Sequence, residues 1–217
     1  PQLLPNRSID LATDQSPIHI DNAFKALEKY AKGQNIKLPT PTPASDQALS
    51  QRKVTWQGNA KGAFIQSRKN PEDRQILLRS DLTPTDRVHV LAHELAHADL
   101  HSLQKQNNWP TAIKETQAEL TSYVISKNLG IDPGEESIRY ISQWSKNLSE
   151  LPADQTGKIV SQALRSSTKM TMYLGDQLEN GELRQVKTRY PEKKQTQTQV
   201  QNKQYQPVTA KQGKGRA

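Results

Sequence analysis

Apolar residues recur along the chain with two different periods, and the switch between them orders the elements. Ala23, Phe24, Leu27 and Tyr30 fall at helical spacing within Ile20 to Tyr30, with Asp21 as the expected cap. Pro39-Thr40-Pro41-Thr42-Pro43-Ala44-Ser45 follows. Each proline lacks a backbone donor and restricts the residue before it, so this stretch is expected to be a linker, neither helix nor central strand. Short apolar runs then appear at 54–56, 62–66 and 74–79. The last two flank the turn residues Lys69-Asn70-Pro71-Glu72-Asp73, which predicts a hairpin.

Beyond residue 80 the period is helical throughout. Thr83-Pro84-Thr85-Asp86 is a helix start: Thr83 caps, Pro84 fills the first position and Asp86 sits at the amide-rich end. Val88, Leu91, Leu95 and Ala98 carry one stripe of a helix to about Ser102, and Val90, Ala92, Ala96 and Leu100 leave little polar surface elsewhere. Such a helix is expected to be largely buried, and charged or imidazole groups on it need a reason. A further helix runs from Thr111 to Leu129 and stops at Gly130. Asp132-Pro133-Gly134-Glu135 opens another, with Ile138, Ile141 and Leu148 as its stripe, and a last one is expected over Ala153 to Leu178. Strands followed by helices predict an α+β fold.

Composition narrows the class. The chain has 217 residues, 33% of them hydrophobic, and no run approaching the roughly 20 apolar residues of a membrane helix, so no membrane partner is expected. It has no cysteine, which excludes disulfides, thiolate metal sites and a cysteine nucleophile. Pro1 to Asp10 lacks the layout of a secretory signal, and a cytoplasmic location is the expectation. Residues 187–217 hold eight basic side chains against Glu192 alone, which accounts for seven of the eight net positive charges. This Gln-, Lys- and Thr-rich tail has too little apolar surface to offset the entropy of ordering, and it reads as disordered, first as a solvated linker to a further domain and second as a polybasic segment for non-specific nucleic-acid contact. The expected layout is an N-terminal helical segment over 1–38, a Pro-rich linker over 39–50, a folded domain over 51–180 and a basic tail over 181–217.

The candidate chemistry is concentrated. Four of the five histidines, His89, His93, His97 and His101, follow one another at steps of four. Only His93-Glu94-Leu95-Ala96-His97 places a carboxylate directly after the first imidazole, as the HExxH arrangement requires. Residues four apart lie one turn apart on nearly the same face, about 5–6 Å between side-chain roots, so two imidazoles can converge on one ion. Glu94 lies about 100° round the helix and can reach a water at that ion, which makes it a base and not a ligand. A tetrahedral ion still needs a third protein ligand. The metzincin positions for Gly and His hold Leu100 and Leu103, so that continuation fails. Glu115-Thr116-Gln117-Ala118-Glu119 supplies two carboxylates one turn apart, of which one can bind the ion while the other braces a ligand histidine from behind. Asp99 and His101 are outside candidates, and His89 and His101 read better as supporting or core residues.

The run from Thr83 to His101, followed by Lys114 to Glu119, resembles the zincin-like metallopeptidases of the ImmA/IrrE and ArdC-type group, proteins of conjugative and integrative mobile elements. The resemblance covers about residues 52–175. It implies a zincin-like architecture, a small antiparallel sheet packed on a helical bundle that carries the HExxH helix. It also implies that His93, His97 and Glu115 ligate zinc, with manganese as the other candidate ion, that Glu94 is the general base, and that Glu119 supports the site from behind. Members nearer the ImmA branch carry Asn or Asp where Glu119 stands, which leaves a direct role for Glu119 at the metal open. The function so implied is a zinc-dependent peptidase in an anti-restriction or regulatory setting, acting on a protein substrate such as a repressor or a restriction-related protein. The alternative is a metal-stabilised anti-restriction or DNA-binding module with little or no proteolysis. Tyr123, Tyr140 and Arg139 are the candidate oxyanion donors, and the strand at Arg74 to Arg79 is the candidate to hold the substrate as an added strand.

Overall fold

The computed structural model describes residues 16–51, 53–54, 58–105, 108–133 and 151–180. Helix α1 spans Pro17–Gly33 and is capped by Ser16, whose side chain accepts from the His19 amide, one residue set ahead of the expected stripe and not at Asp21. Its exit turns at Asn35, which adopts φ 55°, into the short strand β1, Ile36–Lys37. The expectation that 39–45 contains no helix fails at Pro43, where α2, Pro43–Ser50, begins. Thr42 and Ser45 exchange side-chain bonds in a capping box, and proline is tolerated at the first helical position because its missing N–H would have no intrahelical partner.

Strands β2 (Lys53–Val54) and β3 (Gly58–Asn59) form a small antiparallel pair. The expected hairpin is present as β4, Gly62–Gln66, against β5, Arg74–Leu78, in antiparallel register with Phe64 opposite Ile76. β1 adds to the far edge of β5 in parallel, giving a three-stranded mixed sheet of order β1-β5-β4 instead of a purely antiparallel one. The sheet packs on the helices in an α+β arrangement.

Helix α3, Pro84–His101, starts at the Thr83 cap as its sequence dictates, with the Thr83 side chain accepting from Asp86 N–H. A one-turn 3-10 helix follows at Leu103–Lys105, and α4 spans Thr111–Asn128. The α4 terminus is closed by Gly130 at φ 70°, which lets Ile131 N–H reach Ser126 O at 2.9 Å and Gly130 N–H reach Lys127 O at 3.0 Å. The helix expected after Asp132 lies outside the described residues over 134–150, as does the tail over 181–217. Helix α5 is Ala153–Asn180.

One apolar core joins these elements. Ile20, Phe24 and Leu27 of α1, Ile36 of β1, Ile76 and Leu78 of β5, Val88, Leu91 and Leu95 of α3, Ile125 of α4, and Met170 and Leu174 of α5 are buried in a single cluster. Each such side chain contributes about 1.5–3 kcal/mol on burial, so the helix and strand ahead of the Pro-rich stretch are as much part of this core as the HExxH helix. The cluster is continuous through α3, whose apolar stripe faces α1 and the sheet and leaves the histidine face turned toward α4.

Candidate metal centre

Helix α4 explains how the site is assembled. Its apolar pattern is weak, and it buries Thr116, Gln117, Glu119, Thr121, Ser122 and Ser126 together with Ile113, Ala118 and Ile125. Buried polar groups need partners. Thr121 and Ser122 bond back to the carbonyls of Gln117 and Glu119 within the helix. Glu115, Gln117 and Glu119 reach across the helix pair to the histidine ladder of α3.

At the centre of that contact three donor atoms face one point. His93 Nε2 and His97 Nε2 are 3.1 Å apart, Glu115 Oε2 is 3.3 Å from the first and 3.5 Å from the second. Among the described residues this is the group of His, Asp and Glu side chains whose ligand atoms lie mutually close enough to hold one ion. Donors about 2.0–2.1 Å from a tetrahedral ion are separated by roughly 3.3–3.4 Å, and the observed edges lie about that value. Two imidazole nitrogens that face each other and a carboxylate oxygen form a set of lone pairs which a cation satisfies and which hydrogen bonds alone satisfy poorly. The residues present therefore fit a divalent ion.

Behind the triangle each imidazole is held by its other nitrogen. His93 Nδ1 is 3.1 Å from Glu119 Oε2, and the second oxygen of Glu119 is 3.2 Å from His89 Nε2. His97 Nδ1 is 2.9 Å from His101 Nδ1, and His101 Nε2 is 3.0 Å from Gln117 Oε1. All four rungs of the ladder thus take part, two facing the common point and two standing behind them. Burial opposes a charge on His93, but Glu115, Glu119 and Glu94 outweigh it and hold its pKa well above the ordinary 6.5. Burial likewise opposes charge on Glu115 and Glu119, and their histidine partners overcome it and hold both carboxyls below the ordinary range. His101 is pushed down to about 4, by burial first and then by the neighbouring His97.

Glu94 is buried and accepts a bond of 2.6 Å from the Phe64 amide of β4. This requires the strand to approach α3 closely. A Cβ at Gly62 would lie 2.6 Å from Val90 Cγ1 and 3.1 Å from Glu94 Cγ, so the start of β4 admits no side chain. The strand expected to receive substrate, at Arg74 to Arg79, is the central one: β5 is paired with β4 along its length and with β1 at Arg74 and Gln75. One edge of β5 is thus filled along its length and the other at Arg74 and Gln75. The edge that faces α3 belongs to β4. Arg79 N–H reaches Lys61 O and Ser67 N–H reaches Asp73 O, so the odd-numbered residues of this strand bond to β5 and the even-numbered ones turn outward.

The other sequence candidates separate cleanly. Asp99 points to α5, where its carboxylate accepts from Ser166 Oγ at 2.8 Å and pairs with Lys169 at 2.9 Å. His101 and His89 stand behind the donors, and Glu119 contacts His93 and His89 but is not part of the three-atom group. Tyr123 lies on α4 beside Lys127, while Arg139 and Tyr140 lie outside the described residues. Sequence reasoning missed Gln117, Gln162 and the Phe64 amide. A buried glutamine between two glutamates carries no motif, and a backbone amide carries no sequence signal at all.

The family described as the IrrE N-terminal-like domain, Peptidase_M78, matches residues 54–125. A Bacillus anthracis protein described as uncharacterized protein pXO2-81 is 31% identical over 148 residues, 68% of this chain. The chain spans 23% of the length of that relative. No solved structure matches. The matched segment contains β4, β5, α3 and most of α4, hence all three donors, Glu94 and Glu119, and it supports assignment of this part of the chain to the ImmA/IrrE-type metallopeptidase family.

Proposed function

We propose that this chain is a zinc-dependent peptidase in which His93, His97 and Glu115 hold the ion, Glu94 is the general base and Glu119 orients His93. The observation that carries the reading is the donor triangle, two imidazole Nε2 atoms and one carboxylate oxygen with edges of 3.1, 3.3 and 3.5 Å. Two nitrogens and one oxygen at tetrahedral spacing suit zinc better than manganese, which favours oxygen-rich octahedral sites. A zinc ion there supplies a Lewis acid that brings the pKa of water toward about 7 and polarises a carbonyl.

The remaining work falls to the chain. Glu94 follows His93 directly and takes the proton from the attacking water, then returns it to the leaving amine. Its carboxylate is aimed by the Phe64 amide. The outward backbone groups of Gly62 and Gln66 and the carbonyl of Phe64 offer an extended substrate a strand to pair with beside Glu94, the Phe64 amide being already committed to that carboxylate. A protein substrate, such as a repressor or a restriction-related protein, meets these requirements by presenting an extended segment.

Glu94→Gln tests the reading. The variant should retain one zinc per chain and the wild-type melting temperature while losing cleavage of its cellular substrate, found by comparing the proteomes of cells that express the two forms. If the zinc-loaded wild type and Glu94→Gln leave identical proteomes, the metal-stabilised binding module replaces the peptidase reading; if the wild-type protein purified without chelator carries no zinc, both readings fail.

A further inference from the structure

We infer that His101 and Gln117 are positioning residues that fix which nitrogen of His97 is bare, and that the choice is dictated from a backbone carbonyl of α5. The inference rests on the reading above that the three donors hold zinc. It follows from donor and acceptor types taken one contact at a time, beginning at the end farthest from the ion.

Gln117 is fully buried, and its Nε2 is 3.2 Å from the carbonyl oxygen of Ile159 and 2.9 Å from Gln162 Oε1. A backbone carbonyl only accepts, so the nitrogen of the Gln117 amide must face α5 and its oxygen must face His101. That oxygen is also only an acceptor. His101 Nε2, 3.0 Å away, must therefore carry the proton. A neutral imidazole has one N–H, which leaves His101 Nδ1 with a lone pair. This lone pair lies 2.9 Å from His97 Nδ1, so the proton between them belongs to His97. With its single proton on Nδ1, His97 presents a bare Nε2 to the point shared with His93 and Glu115.

The two histidine ligands are thus prepared by different devices. His93 is backed by a carboxylate, Glu119, which accepts whatever proton His93 Nδ1 offers. His97 is backed by a neutral line of side chains whose polarity is set by one peptide oxygen of α5. A ligand whose outer nitrogen is tethered this way loses neither tautomer nor ring orientation when the ion leaves, and removal of such a partner typically weakens metal binding 10–100-fold.

The experiment has two readouts. The first is the imidazole nitrogen spectrum of the metal-free full chain, in which His97 of the wild type should be protonated at Nδ1 and bare at Nε2. The second is zinc affinity by chelator competition. His101→Leu and Gln117→Met should each bind zinc about 10–100-fold more weakly and shift His97 toward the Nε2–H form. His101→Asn keeps an acceptor oxygen where Nδ1 stood and should stay within about threefold of wild type, a rescue that packing alone does not explain. Finding His97 protonated at Nε2 in the metal-free wild type, or His101→Leu and Gln117→Met equal to wild type in zinc affinity, overturns the inference. If the wild type takes up no zinc, the peptidase reading fails, and the tautomer spectrum still decides the relay by itself.

Discussion

Glu119 is the acid on which the amino-terminal half of the histidine ladder converges, one oxygen on His93 and the other on His89. Burial opposes charge on both groups, but His89 and then His93 hold the Glu119 carboxyl down, and Glu115 and then Glu119 hold His93 up. Glu119→Gln should therefore weaken zinc binding about 10–100-fold while leaving the three donors in place, as chelator competition would read. The pH dependence has a definite sign. A raised His93 pKa stabilises the ion-free fold fully below about pH 6.5 and ceases to do so as pH rises through the raised value. Zinc needs the same nitrogen bare, so the ion displaces a proton, and below the raised pKa zinc affinity should fall about tenfold for each pH unit lost. Isothermal titration calorimetry in two buffers of different ionisation enthalpy would show close to one proton released per zinc near neutral pH. At this scale the sequence was informative wherever a spacing states a chemistry: His93, Glu94 and His97 were legible because helical periodicity alone puts them together. Gln117 was not, because its significance is a direction of hydrogen bonding that exists only once α5 lies against α4.

At the scale of elements, β4 approaches α3 closely, and Gly62 permits it. Gly62→Ala should push the strand from Val90 and Glu94, with a loss of about 1–3 kcal/mol in denaturant unfolding and a displaced Glu94 carboxylate. Because the strain falls on Glu94 as well as on the core, cleavage should drop by more than the stability loss explains, while zinc content stays at one per chain. Helices α3 and α4 were readable from their caps, Thr83-Pro84 at one start and Gly130 at the other end, since both are local devices. Helix α2 was hidden by its prolines, although Thr42 and Ser45 supply the cap, because a proline at the first helical position reads in sequence like a proline in a linker. The parallel partner of β5 was hidden for another reason: β1 is two residues long, too short for any period to show.

At the scale of the whole molecule, the buried face of α1 shares one apolar cluster with the helix that carries the site. Leu27 is fully buried there, and Leu27→Ala should cost about 2–5 kcal/mol by thermal or denaturant unfolding. If zinc binds only the folded form, saturating zinc at about 100 times its dissociation constant should restore about 2.7 kcal/mol, visible as a raised melting temperature that chelator abolishes. Such a coupling follows because α3 has the core on one face and the donors on the other. The sequence by itself determined what is local: where α3 starts and α4 stops, that a hairpin precedes them, and that two imidazoles share a helix face with a glutamate about 100° round from the first, since each depends on neighbours within a turn or two. Only the tertiary structure decided which carboxylate of α4 meets the pair, which strand edge lies beside Glu94, and what stands behind each imidazole. Those are contacts between residues 16 to 45 positions apart, or more, and their distances depend on how whole helices pack rather than on the period within any one of them.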